Sequence, residues 1–280
     1  MEPKVKGYRI IIDVEASQPV IEFTGRLTKA FVFALNPELQ SFRGIEGIVS
    51  PIHISPLFKV SGDHDLGEPA YPYIEKKPKR KMEITPITLN SEYIFHIGGE
   101  ANLVSKVVTK LEKLSDPLLM RIHNNIIRFR VEKVVDVAGE VFEKASSISE
   151  RVRVYLKSPA QIFNVFTATK LQKFTSSAVE ILMTPYAILN NNYTITEQLV
   201  TSSFSTLGKL VETWYSVRTL KPVEIIFKEK KQTNLAGSVT YIIQERDSKK
   251  LKTIQNVVAV AELVGIGRSR QNGFGTVIIK

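Results

Sequence analysis

A chain of 280 residues with 43% hydrophobic content is long and apolar enough for packed cores, and its length suits two domains of ordinary size. Thirty-eight Lys and Arg against 28 Asp and Glu give a formal net charge of +10, so the surface field favours polyanions, nucleic acid first and anionic membrane second. The absence of cysteine excludes disulfide scaffolds, thiolate zinc sites and cysteine nucleophiles. No apolar run approaches the ~18 residues needed to span a bilayer, and MEPKVKGYRI lacks a signal-peptide core, so the expectation is a cytoplasmic protein with no membrane partner.

Val5 to Glu15 alternates and is rich in β-branched residues, which predicts a first strand. Thr24 is a candidate cap for a helix from Arg26 to Leu35, stopped by Asn36-Pro37, with Arg26 and Lys29 three apart on one face. GIVSPIHISPLF, punctuated by Pro51 and Pro56, suits an edge strand. The basic run Lys76, Lys77, Lys79, Arg80, Lys81 reads as a solvated loop or a nucleic-acid contact. Ser91 to Ile97 predicts a strand ended by Gly98-Gly99, followed by a helix from Ala101 to Leu114 and one long strand from Ile122 to Val135. The first half is therefore β-α-β-β-α-β, the ferredoxin-like order, with Asp136 to Glu150 as a linker.

The second half opens with a strand running into Ser158-Pro159 and a less regular region through LMTPYAILNNN. Thr194 or Thr196 then caps a helix reaching Val217. Val223 to Lys228 and Gly237 to Gln244 predict a hairpin, Lys250 to Val264 a last helix, and Thr276 to Ile279 a last strand. The repeated order makes the chain α+β, with two tandem ferredoxin-like (RRM-like) domains at residues 1–138 and 150–280.

Between the last helix and strand lies GIGRSRQNGFG, residues 265–275. Glycine permits positive φ and close approach of backbone amides to a phosphate, and Arg268 and Arg270 offer forked contacts to phosphate oxygens. A second reading is structural: Gly265 ends the helix, while Gly273 and Gly275 turn the chain into an edge strand. Elsewhere, Asp63-His64-Asp65 reads as a turn rather than a metal site, and His96 as structural or as facing a phosphate at a helix N-terminus. No Gly-x-Ser-x-Gly elbow or Walker-type phosphate loop is present.

Gly265-x-Gly267-x5-Gly273-x-Gly275, after an apolar helix and before a final strand, resembles the C-terminal loop of the CRISPR repeat-processing endoribonucleases of the RAMP superfamily, and GIGRSRQNGFG resembles their crenarchaeal branch. The resemblance implies tandem ferredoxin-like domains holding repeat RNA in a basic cleft. It implies one cut per repeat, without metal or other cofactor, by attack of a 2′-hydroxyl on the adjacent phosphate, leaving a 2′,3′-cyclic phosphate and a 5′-hydroxyl. Many relatives place a histidine near the end of the first helix, where this chain has NPELQSFRG. Others rely on cations of the first helix and the next strand, which Arg26 and Lys29 match, with Ser50 at the strand-lysine position.

The resemblance places Arg26 and Lys29 at the cleavage site; of the four histidines His53, three residues beyond Ser50, is the best candidate base or else an edge-strand histidine with no role, and Arg43 joins the candidate catalytic set. The implied RNA-contacting set is Gly265, Gly267, Arg268, Ser269, Arg270, Gln271, Gly273, Gly275 and Lys157. The implied partners are CRISPR repeat RNA, with effector-complex subunits or a second copy of the chain as further partners. A non-catalytic RAMP subunit binding guide RNA and a general basic RNA-binding protein are the alternative readings.

Overall fold

The computed structural model describes residues 4–42, 48–62, 65–72, 85–122, 124–162, 174–213 and 219–280. In the first half β1 (Val5–Ala16) and β5 (Asn90–Glu100) run antiparallel at the centre of a seven-stranded sheet. On one side of β5 lie β2 (Ile52–Ile54) and β3 (Phe58–Ser61), the latter paired with β4 (Asp65–Pro69). Beyond β1 lies the hairpin of β6 (Leu118–Ile122) and β7 (Asn125–Asp136). Helices α1 (Gly25–Leu35) and α2 (Ala101–Glu112) bury Phe31, Val32, Val104, Val107 and Leu111 against Ile10, Ile12, Phe95 and Phe129 on one sheet face.

The second half repeats the plan. A five-stranded sheet is ordered β10 (Lys221–Phe227), β11 (Lys230–Ile243), β8 (Arg151–Ala160), β12 (Val277–Ile279), with β9 (Leu210–Glu212) also on β11. In ferredoxin-like numbering both sheets have the order 2-3-1-4, reached here through α4 (Ala178–Leu189), α5 (Glu197–Leu207) and α6 (Ser248–Val264). The fold class is the α+β tandem ferredoxin-like arrangement expected from the element order. Alternation sorts β8 cleanly: Val152, Val154 and Leu156 enter the core, while Arg151, Arg153 and Tyr155 are exposed on the open face.

Several elements differ from the sequence expectation. Residues 138–146, expected as linker, form α3 (Ala138–Ser146), whose Val141 and Ala145 pack against the second core. LMTPYAILNNN is not irregular but supplies most of α4, which tolerates Pro185 inside it and is buried along nearly its whole length. Being apolar all round, it shows no amphipathic period to detect. Thr196 does cap α5, its side chain accepting from Leu199 N at 3.2 Å, yet the helix ends at Leu207 rather than Val217.

The long strand expected at Ile122 to Val135 is present as β7, starting at Asn125, but Ile122 ends an additional strand, β6, that pairs with it as a hairpin. Strand β5 continues through Gly98 and Gly99 instead of ending there. The β10–β11 turn lies at Lys228 and Glu229, both left-handed with φ of 52° and 61°, the pairing that a two-residue hairpin turn requires. No helix among the described residues is long and apolar enough to cross a membrane.

Candidate nucleic-acid interface

Helix α6 descends onto the first sheet where Gly7 of β1 pairs with Gly98 of β5. A Cβ on Gly98 would overlap the Leu263 carbonyl, so the absence of side chains lets the end of α6 reach the strands. Two carbonyls of its last turn are then met from the side. His96 Nε2 donates to Leu263 O at 2.6 Å, and Arg270 Nη1 donates to Val264 O at 2.6 Å. These bonds satisfy acceptors that a helix end leaves without intrahelical partners.

Gly265, with φ of 69°, leaves the helix, and the loop folds back on itself. Ile266 N bonds Gly275 O at 2.8 Å, Gly275 N bonds Pro159 O at 2.9 Å, and Arg268 N bonds Gln161 O at 2.9 Å. Asn272 N and Gly273 N bond Ser269 O and Arg270 O, while Thr276 N takes Ser158 Oγ at 2.9 Å. Most loop amides are thus engaged within the protein and are not directed at a ligand. All four glycines of the motif have positive φ, and a Cβ on Gly265 would press to 2.8 Å from Gly275 O and 3.0 Å from His53 Nδ1. The structural reading of these glycines holds.

Arg270 departs most from its expected role. The sequence pattern makes it a phosphate-gripping cation, but only 2% of it is exposed. Besides Val264 O, its guanidinium donates to Ser50 O, and burial lowers its pKa to about 9. Neighbouring Gln271 is also buried, with Nε2 on Ser50 Oγ at 2.8 Å. Both side chains anchor the loop to the strand end before β2, with their polar ends spent inside the protein.

His53 must be reassigned as well. It is fully buried, with Nδ1 3.0 Å from Arg270 O and Nε2 3.1 Å from Thr276 Oγ1. A carbonyl can only accept, so Nδ1 carries the proton and Nε2 accepts from the threonine hydroxyl. Burial, the neighbouring His96 and Arg270 hold its pKa well below the usual value, so the ring is neutral. With both nitrogens occupied and no exposed edge, His53 cannot take a proton from a bound 2′-hydroxyl. His96, also buried, has its pKa pushed down to about 4 by desolvation, and its role is structural.

The residues that remain at the surface converge on the start of α1. Lys29 Nζ is 2.9 Å from Asn272 Oδ1 and lies 5.1 Å from the Phe33 ring centroid. Arg26 pairs with Glu22. Gly25 lies under the loop, since a Cβ there would overlap Asn272 O. Phe23 packs on Phe274 and Tyr71 at centroid distances of 4.9 and 4.7 Å, and Phe227 closes the cluster 5.2 Å from Phe274.

The structure therefore brings Lys29 onto the glycine-rich loop and leaves Arg26 beside it on α1, paired with Glu22, while Arg268 and Ser269 stand half-buried at the loop's bend. Lys157 stands apart on the open face of the second sheet, half-buried, with Nζ on Gly67 O at 3.0 Å; its pKa is lowered first by desolvation. Arg43 and His64 lie outside the described residues, as do Asp63, His123, Trp214, Tyr215 and the basic run at 76–81. Asp65 pairs with Arg9 at 2.9 Å, and among the described residues no three His, Asp or Glu side chains gather as metal ligands.

Sequence reasoning missed Asn272 and Glu22, and gave Ser50 no contact with the loop. Asn272 had a local signal in the Asn272-Gly273 pair, and Glu22 in its i,i+4 spacing to Arg26. The bonds from Glu22 to Glu229 and from Ser50 to Gln271 each cross more than 200 residues of sequence.

Two ferredoxin-like halves docked through a C-terminal glycine-rich loop, with cations of the first helix beside it, define the class of molecule. No family model matches the sequence, and no curated protein matches it. Among solved structures, its fold is that of Cas6 and RAMP proteins. A Cas6 product complex aligns over 99% of this chain and 100% of its own at 12% identity, with a TM-score of 0.63. A Cas6 substrate-mimic complex covers the same shares at 12% identity and a TM-score of 0.61. A Cas6-related protein from Pyrococcus furiosus covers 98% of each chain at 14% identity and a TM-score of 0.56.

Proposed function

We propose that this protein binds CRISPR repeat RNA and cuts it within the repeat by attack of a 2′-hydroxyl on the adjacent phosphate, leaving a 2′,3′-cyclic phosphate and a 5′-hydroxyl. The observation that carries this reading is the placement of Lys29 on Asn272 of the glycine-rich loop, with Arg26 on the same helix end, within a fold matched end to end by Cas6 substrate and product complexes. Residues 1–138 and 150–280 are taken as its two domains. Their cations would clamp the phosphate as it gains charge in the transition state, and Arg268 would hold the backbone nearby. With His53 and His96 neutral and buried, proton removal falls to water or to a group outside the described residues, so turnover is slow.

A second reading, a non-catalytic RAMP subunit holding guide RNA, is favoured by that burial of His53. Labelled repeat RNA incubated in excess chelator separates the two. One discrete cut with a cyclic-phosphate end, reduced at least tenfold in Arg26→Ala with Lys29→Ala, supports the nuclease. Tight binding without a cut after long incubation supports the subunit. Equal affinity for repeat and scrambled RNA at matched salt would defeat both, since charge alone does not read sequence.

A further inference from the structure

Glu22 precedes α1 and is only 15% exposed at its side chain. Its two oxygens face different halves of the molecule. Oε2 pairs with Arg26, one helical turn ahead, and Oε1 accepts from the backbone N of Glu229 at 3.2 Å, across 207 residues of sequence. The adjacent backbone is anchored too, because Phe23 N donates to Ile226 O at 3.0 Å and its ring is fully buried against Phe274. Glu229 is the second left-handed residue of the β10–β11 turn, and non-glycine residues with positive φ persist only where their surroundings hold them. The same turn exposes Lys228 and Lys230, with Lys228 Nζ 5.8 Å from the Phe227 centroid.

We infer that Glu22 is a positioning residue that fixes Arg26 toward RNA and ties the β10–β11 hairpin tip to α1, so that cations from both halves form one RNA-contacting rim. The assignment rests on the RNA-binding reading above. A carboxylate beside a polyanion site is unfavourable by charge alone, so its removal should tighten RNA binding if that is all it does. Positioning predicts the opposite sign. A freed arginine loses its aim and gains rotamer entropy that binding must then remove.

The test measures repeat-RNA affinity across a salt series for wild type, Glu22→Ala, Arg26→Ala and the double variant. Losing one phosphate contact on single-stranded RNA lowers the slope of log affinity against log salt by about 0.7. Arg26→Ala should show that drop with several-fold weaker binding, Glu22→Ala at least that drop because the hairpin cations are released as well, and the double variant should match Glu22→Ala within about twofold. A role in folding alone would leave the slope unchanged.

Glu22→Gln keeps an oxygen for the Glu229 amide but loses the ion pair. It should retain hydrogen-exchange protection at Glu229 with a reduced slope, whereas Glu22→Ala loses both. Tighter binding by Glu22→Ala, an unchanged slope, or losses that multiply in the double variant would overturn the assignment while leaving the RNA reading intact. A wild-type protein that does not bind repeat RNA would overturn both.

Discussion

Acid should undo the contact between the two halves through His96, and the size of the effect can be worked out. The ring is held neutral with its pKa near 4 against an ordinary value of 6.5, because it is buried with Nε2–H on the Leu263 carbonyl. The folded pKa is depressed, so between those two values the unfolded chain binds more protons than the native one. Stability is therefore complete above pH 6.5 and is lost progressively as pH falls toward 4. For one such site the loss between pH 7.5 and 4.5 is about 2.5 kcal/mol. His53, also depressed by burial, shifts stability in the same direction.

Urea unfolding at the two pH values gives the check. Carboxylates titrate in every variant, so the comparison is wild type against His96→Gln, whose amide still donates but does not titrate. At about 2–3 kcal/mol per molar urea, the wild-type midpoint should fall by about 1 M more than that of the variant. Equal pH dependence in both proteins would refute the buried, neutral assignment.

Other outcomes follow from the same contacts. Arg270→Ala should lower stability by about 3–5 kcal/mol, because it opens a cavity and strips Val264 O and Ser50 O of a charged donor; melting temperature reads this. Loss of RNA affinity with an unchanged melt would instead return Arg270 to the RNA surface. Gly25→Ala should displace Asn272, lowering both the melt and repeat-RNA binding, since its methyl would meet the loop backbone. Gly139→Ala is the control: nothing lies within 4 Å of its Cβ position in α3, and a gain of about 0.5–1 kcal/mol is expected. Lys29→Ala should weaken RNA binding and lower the salt slope while moving the melt by no more than about 1 kcal/mol.

What was legible in the sequence is what neighbouring residues determine. β1 declares itself by alternation, α5 by the cap of Thr196, and α6 by an apolar run closed by Gly265. The misses arise where distant partners decide. Gly98 and Gly99 look like a strand end, but one lies beneath Leu263 and the other against Pro51 and Ile52, so they sit within the sheet because other backbone crosses them. α4 lacks a polar face because it is enclosed by the core. Within the candidate site, Arg26 and Lys29 were visible as a helix-spaced pair. The burial of Arg270 and His53 was not, because local pattern cannot distinguish a guanidinium aimed at phosphate from one that bridges the end of the preceding helix to a carbonyl 220 residues away.

That distinction alters what a glycine-rich signature reports. In this loop glycine is demanded by left-handed backbone and close packing, and the cation between the glycines bonds the end of α6 and the chain leading into β2. The glycines of the motif therefore record how the two halves are locked together. On the RNA-binding reading proposed above, locking serves the surface indirectly. Lys29 is held by Asn272 of the loop, and Arg26 is linked through Glu22 to the β10–β11 turn, so their placement depends on the docking that the glycines permit. A substitution at Gly273 should consequently weaken RNA binding and stability together, since a Cβ there would crowd Gly25 Cα at 2.7 Å. Loss of affinity at Gly273 without loss of stability would instead show the loop touching RNA itself.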